Sequence, residues 1–215
     1  MAITYINRSG ALAVYVWEIT EDVDVLYRKA ELTPEECEQY KAFRAESRKR
    51  QWLAVRACLN KVLTKKTLIA YDADGRPSIE NDTLHISISH ADDFVAILLG
   101  KGKMIGVDIE SISRNYKRIM QKYVGVGESE VFVEKGIQEN LYLPIIWGAK
   151  EAAFKGALRC EVDFIRDIKV LNVDANDMHA DGSVKLAMVP IAKQGKFRFS
   201  TLNNHILVWG EFDDI

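Results

Sequence analysis

Residues 84–110 hold three short apolar segments separated by turns, and that spacing commits the chain to an antiparallel sheet. In 84–89, Ile86 and Ile88 alternate with His85, Ser87 and Ser89; residues 94–99 are apolar throughout; Lys101-Gly102-Lys103 then turns into 104–110. Alternation marks a strand with one buried face, and an unbroken apolar run fits a strand buried on both. Helices come first. Thr33-Pro34-Glu35-Glu36 is a capping box with proline in the first turn, which predicts a helix to about residue 45. A second helix is predicted over about 47–63, where Trp52, Val55, Leu59, Val62 and Leu63 recur at helical spacing. Upstream, residues 11–17, rich in Val and Tyr and ending in Trp, read as a first buried strand.

After residue 110 the order of elements restarts. Helix-like sequence at 114–123 and 128–158, with breaks expected near Gly136 and Pro144, leads into strand candidates at 165–173, 184–189, 197–202 and 205–212. Asn203-Asn204 supplies a hairpin turn for the last pair. The expected class is α+β, with two helix-plus-antiparallel-sheet halves, 1–105 and 106–215, packed as one unit. A chain of 215 residues that is 48% hydrophobic can bury such a core, and 13 Gly with 4 Pro exclude a collagen-like or low-complexity chain.

Charge narrows the partners. With 29 Lys+Arg against 31 Asp+Glu, the net charge of -2 gives no bulk attraction to nucleic acid or to an anionic membrane. An anionic ligand must therefore meet a local basic pocket, and Arg44, Arg48, Lys49, Arg50 and Arg56 concentrate positive charge on one helical stretch, which by itself also suits a solvated face. Cys37, Cys58 and Cys160 stand far apart and in no Cys-x-x-Cys spacing, so reduced packing residues in the cytoplasm are expected. No signal peptide is legible, and no run nears the ~18 apolar residues of a membrane span. Asp72-Ala73-Asp74-Gly75-Arg76-Pro77 has its glycine misplaced for a calcium loop and reads as a turn.

Three segments could carry chemistry. In Ile105-Gly106-Val107-Asp108-Ile109-Glu110, the isoleucines and valine face a core while Gly106, Asp108 and Glu110 share the other face, the carboxylates ~6.6 Å apart along the strand. Two acids beside a glycine that leaves room for a ligand suit a hard cation; alone, the hexapeptide equally suits a half-exposed edge strand. In Trp147-Gly148-Ala149-Lys150-Glu151-Ala152-Ala153-Phe154-Lys155, helical geometry puts Trp147, Glu151 and Lys155 on one side. Ser87-Ile88-Ser89-His90 ends a strand with a hydroxyl and an imidazole. His85, His179 and His205 show no zinc spacing, and no Walker loop, dinucleotide fingerprint or His-Glu-x-x-His is present. Three carboxylates, cationic groups, a Ser-His and an arginine-rich helix are together the parts of a magnesium-pyrophosphate site.

The order and spacing of these segments resemble the 4'-phosphopantetheinyl transferases of the Sfp type. That signature is an aliphatic Gly-aliphatic-Asp-aliphatic-Glu strand followed by an aromatic residue, two further residues and Lys-Glu-Ala/Ser-x-x-Lys, matched here by 105–110 and 147–155. Arg48 and Arg56 match its paired arginines, Gly75-Arg76-Pro77 its Gly-x-Pro turn, Ser89-His90 its Ser-His, and the segment 123–128 its aromatic stretch ending in Glu. The likeness covers about residues 45–160. Gly148 and Tyr123 depart from the commoner residues at their positions, and the Trp147 with Lys150-Glu151-Ala152 form is similar to the subgroup linked with fatty acid and polyketide carriers.

The resemblance implies an α+β pseudo-dimer that moves the 4'-phosphopantetheine arm of coenzyme A onto a serine of an apo acyl or peptidyl carrier protein, releasing adenosine 3',5'-bisphosphate. It implies Asp108, Glu110 and Glu151 as ligands of Mg²⁺, or Mn²⁺, with Lys155 on the phosphates and Glu151 as a candidate base. Arg48, Arg56 and His90 are implied at the 3'-phosphate, Arg76 near the adenine or phosphate end, Ser89 near the pyrophosphate, and Glu128 as a residue ordering a metal-bound water or assisting deprotonation. On this reading Arg56→Ala weakens coenzyme A more than its 3'-dephospho form. A monomer is expected, because the related trimeric synthases are about half as long. A non-catalytic coenzyme A or carrier-protein binding module, and another Mg²⁺-dependent nucleotide phosphohydrolase, remain alternatives.

Overall fold

The computed structural model describes residues 3–102, 104–157, 161–175 and 181–213. Cys160, His179, Lys103 and the end of the helix expected to reach residue 158 lie outside the described residues. The chain runs β1 (Ile3–Ser9), β2 (Leu12–Glu18), α1 (Val23–Ala30), α2 (Pro34–Ala42), α3 (Glu46–Leu63), β3 (Ile69–Tyr71), β4 (Pro77–Ile79), β5 (His85–Ala91), β6 (Phe94–Gly100) and β7 (Ile105–Ser111). It continues through α4 (Glu128–Val133), α5 (Glu139–Gly156), β8 (Ile168–Ala175), β9 (Asp181–Met188), β10 (Lys193–Leu202) and β11 (His205–Phe212). Two antiparallel sheets, ordered β1-β2-β6-β5 and β7-β11-β10-β9-β8, make the fold α+β; β3 and β4 form a separate hairpin.

The side-chain pattern dictates four layers. In β6, Val95, Ile97 and Leu99 point into a core shared with Trp52, Leu53 and Leu59 of α3, whereas Phe94, Ala96 and Leu98 point the other way. That second face meets Val107 and Ile109 of β7 and Leu207 and Trp209 of β11, so the two sheets pack face to face. The outer face of the five-stranded sheet, with Ile206 and Val208, packs on Ile145, Ala149 and Ala152 of α5. A strand buried on both faces carries apolar residues throughout, which accounts for residues 94–99.

Several local expectations hold. Thr33 accepts from the Glu36 backbone N–H at 3.1 Å and Glu36 accepts from the Thr33 N–H at 3.1 Å, completing the capping box. Three details differ. Residues 114–123 form two single 3-10 turns, at Tyr116–Arg118 and Met120–Lys122, rather than a helix. Pro144 lies in the second turn of α5 without ending it, costing that turn one backbone hydrogen bond, and the break falls instead near Gly136, at φ 72°. Strand β1 and helix α1 were not among the expected elements, although Val23, Leu26, Tyr27 and Ala30 recur at helical spacing in α1 and Val23, Leu26 and Ala30 meet the core.

Candidate active site

The site forms where the edge of the first sheet meets the first strand of the second. Strands β5 and β7 are not paired by a ladder, and the Val107 backbone N–H donates instead to Ser87 Oγ at 3.1 Å. One pleat further along, Ser89 Oγ donates to Asp108 Oδ1 at 2.8 Å, and Lys155 Nζ donates to the same oxygen at 2.7 Å and to the Val107 carbonyl at 3.1 Å. Asp108 is 4% exposed, and its Oδ2 is buried with no hydrogen-bond partner. Burial, only partly offset by Lys155, raises the Asp108 carboxyl above its ordinary range.

Gly106 sets this geometry for a reason other than ligand space. A Cβ built there would stand 1.8 Å from the Ala152 carbonyl oxygen, so the glycine lets the α5 backbone lie directly on β7. The expectation that it leaves room for a ligand is corrected: the room is filled by the helix. With α5 pressed onto β7, the side chains predicted to line one face of the helix all reach that strand. Trp147 Nε1 donates to Glu110 Oε1 at 2.9 Å, Lys155 meets Asp108, and Glu151 feels the charges of both Asp108 and Glu110. Arg114 adds a second donor to Glu110 Oε1 at 3.0 Å, a partner that no motif announced.

Burial first, then the neighbouring Asp108 charge, pushes the Glu151 carboxyl up to about 7. A raised carboxyl means that the folded chain holds a proton the unfolded chain has released. Between pH 4.5 and about 7, stability of the metal-free protein therefore falls as pH rises, and the loss is complete above the folded value. Glu151→Gln should remove this slope. The wild-type stability relative to the variant is expected to drop by on the order of 3 kcal/mol across that window, read from urea midpoints. A difference that stays constant with pH would show that Glu151 does not titrate there.

The remaining sequence-selected residues separate into two groups. Arg48 touches His90 through Nη1 and Nε2 and stacks over Phe43, and burial together with the charges of Arg48 and Lys155 holds the His90 imidazole below its ordinary value. Arg48, Arg56, Trp52, Tyr71 and His90 line a cavity of about 160 Å³. Arg56 is 1% exposed, donates through Nε to Glu36 at 2.7 Å and lies 3.2 Å from the Trp52 ring centroid, leaving Nη2 buried without a partner. A larger cleft of about 620 Å³ runs past Arg76, Leu84, Ile86 and Phe154 to Lys155 and shares Gly75, Pro77 and Ile88 with the arginine cavity. The arginine cavity thus adjoins a cleft that reaches Lys155, the partner of Asp108. Glu128 is not brought to this place: it is 3% exposed and bound to Lys150 at 2.7 Å.

The donor set suits a hard divalent cation, since Asp108 keeps one buried carboxylate oxygen unused and Glu151 stands close enough to raise its own proton affinity. Among the described residues no three His, Cys, Asp or Glu side chains already converge as a ligand cluster, and the positive charge beside Asp108 is the Lys155 ammonium.

A superfamily of transferases emerges on comparison with known proteins. Residues 104–207 match the family model described as the 4'-phosphopantetheinyl transferase superfamily, and this matched segment holds Asp108, Glu110, Glu151 and Lys155. The chain is also similar to the 4'-phosphopantetheinyl transferase AcpT of Salmonella typhi, 30% identical over 112 residues, which is 50% of this chain and 58% of that protein. AcpT of Escherichia coli O157:H7 is 32% identical over 112 residues, 50% of this chain and 57% of the relative, and AcpT of Escherichia coli strain K12 is 31% identical over the same lengths and shares. The match thus spans less than two thirds of the curated relatives.

Proposed function

We propose that this protein transfers 4'-phosphopantetheine from coenzyme A to a serine of an apo carrier protein of fatty acid, polyketide or peptide synthesis. One observation supports the reading: the buried Asp108, its Oδ2 unpartnered, is held by Lys155, and Lys155 lines a cleft that shares Gly75, Pro77 and Ile88 with the cavity of Arg48 and Arg56. In the reaction the serine oxygen forms a bond to the pantetheine-side phosphorus. The bond from that phosphorus to the bridging oxygen breaks, and the electron pair leaves on adenosine 3',5'-bisphosphate.

Each residue has a task in that exchange. Arg48 and His90, with the unpartnered Nη2 of Arg56, are assigned to the 3'-phosphate, a dianion that guanidinium groups bind through several donors. Arg76 is assigned to the nucleotide in the larger cleft, and Ser89 and Lys155 to the pyrophosphate. Glu151, beside the cleft's phosphate-binding Lys155 on α5, is assigned the serine proton. Asp108, Glu110 and Glu151 would hold a Mg²⁺ or Mn²⁺, which supplies charge neutralisation at the transferring phosphoryl group.

We infer further that halves 1–105 and 106–215 form the two walls of the site as a pseudo-dimer within a monomer, supported by one long helix, α3 or α5, on each sheet. A cytoplasmic location is consistent with the free thiols of Cys37 and Cys58. Among the described residues no helix is long and apolar enough to cross a membrane.

Intact-mass measurement tests the activity. Incubation with coenzyme A, MgCl₂ and a panel of apo carrier proteins should add one phosphopantetheine to at least one carrier, and chelation should prevent it. Coenzyme A binding with no gain on any carrier would point to a binding module. Inorganic phosphate as the product would point to a phosphohydrolase.

A further inference from the structure

The buried ion pair between Glu128 and Lys150 has its own place in the architecture. Lys150 is fully buried, and its Nζ donates to Glu128 Oε2 at 2.7 Å and to the Phe164 carbonyl at 2.8 Å. Glu128 Oε2 also accepts from the Gly125 N–H at 2.7 Å, and Oε1 from the Val170 N–H at 2.8 Å. Four segments meet in these bonds: the turn before α4, helix α5, the loop that contains Phe164, and the start of β8. Both carboxylate oxygens are engaged by protein donors and the side chain is buried, so Glu128 is held inside the protein rather than turned to the Asp108 site.

What this junction controls follows from the opposite side of α5. The surface that α5 lays on β7 is made of small residues, Gly148, Ala152 and Gly156, with Gly106 beneath them. Small side chains permit close approach but interlock little, so along Gly148 to Gly156 this contact adds few bulky anchors to those that Leu143, Ile145 and Ile146 give the first half of the helix. Lys150 precedes Glu151 by one residue and projects about 100° from it around the helix axis. Holding Lys150 from behind therefore sets where Glu151 and Trp147 point in front. A buried ion pair is weak support for stability, because exchange for apolar groups of similar volume is often neutral, whereas its bond directions are strict.

We propose that Glu128 and Lys150 are positioning residues: their pair locks the rotation of α5 so that Glu151 faces Asp108 and Trp147 reaches Glu110, and neither touches substrate. The inference deepens the proposed function and rests on that reading of the Asp108 and Glu151 site. It replaces a direct role for Glu128 in ordering water or moving a proton.

The test uses the full chain with Lys150→Met combined with Glu128→Gln, which removes both charges at similar volume, and separately Glu128→Asp, which keeps the charge but shortens its reach. Three quantities are read: the thermal midpoint, Mn²⁺ binding by electron paramagnetic resonance without carrier protein, and transfer kinetics. The double variant is expected to melt within a few degrees of wild type, to bind Mn²⁺ at least tenfold more weakly and to lose at least tenfold in kcat at an unchanged KM for the carrier. Glu128→Asp should lie between the two, and it decides the matter if the double variant does not fold. Wild-type Mn²⁺ affinity and kcat in a folded variant would overturn the proposal. So would loss of transfer in Glu128→Asp with Mn²⁺ affinity intact, since that is the behaviour of a residue acting in the chemistry. If wild type binds Mn²⁺ but modifies no carrier, the transferase reading fails, and the Mn²⁺ affinities alone still judge the positioning role.

Discussion

Asp108→Asn is expected to lower transfer by at least ~10³-fold, a loss typical of removing a charge-stabilising group from a preorganised site, while the thermal midpoint moves by only a few degrees. The two effects separate for one reason. Asp108 is almost fully buried and its carboxyl is raised by that burial, so the folded chain holds a charge it would rather shed. Asparagine keeps the shape and an oxygen for Ser89 Oγ to reach, but removes the charge that Lys155 and an incoming cation both need. Intact-mass kinetics beside a melting curve read both quantities. Full activity in a folded Asp108→Asn protein would falsify the metal assignment.

Arg56→Ala should behave in the opposite way and damage the fold first. Its Nε bond to Glu36 is buried on both sides, at 1% and 10% side-chain exposure, and Glu36 belongs to the capping box that starts α2. Truncation strands that carboxylate without its partner and strips the face of Trp52, which for a buried pair costs about 3–5 kcal/mol, or roughly 10 °C in a chain of this size. Arg48 sits at the surface with His90 and Phe43 as neighbours, so Arg48→Ala should leave the melting curve nearly unchanged and weaken coenzyme A about tenfold more than 3'-dephospho-coenzyme A. Equal losses for the two ligands would remove Arg48 from the 3'-phosphate. An Arg56→Ala protein as stable as wild type would show that Glu36 does not depend on the pair.

These two arginines show where sequence reading stops. On the chain they are a matched pair two helical turns apart, and helical spacing puts them on one side of α3. Burial distinguishes them, and burial depends on α2, whose Glu36 lies twenty residues away from Arg56. Trp147, Glu151 and Lys155 were legible because their spacing is local and α5 forms as predicted, Pro144 notwithstanding. Arg114 was not legible, since its segment was expected to be helical and instead turns back after β7, the Arg114 N–H donating to the Ser111 carbonyl, which brings its guanidinium to Glu110.

By itself the sequence determined the strands of the meander, the capped helix, the two faces of 105–110 and the stripe on 147–155, because alternation and helical periodicity act over a few residues. Tertiary structure alone decided that Gly106 receives the Ala152 carbonyl of a helix, that Glu128 is bound to Lys150 rather than turned to the carboxylates, and that Arg56 is buried on Glu36. Each of these joins residues twenty or more positions apart. What a buried charge costs or does depends on which partner the packing delivers to it, and no local pattern encodes that partner.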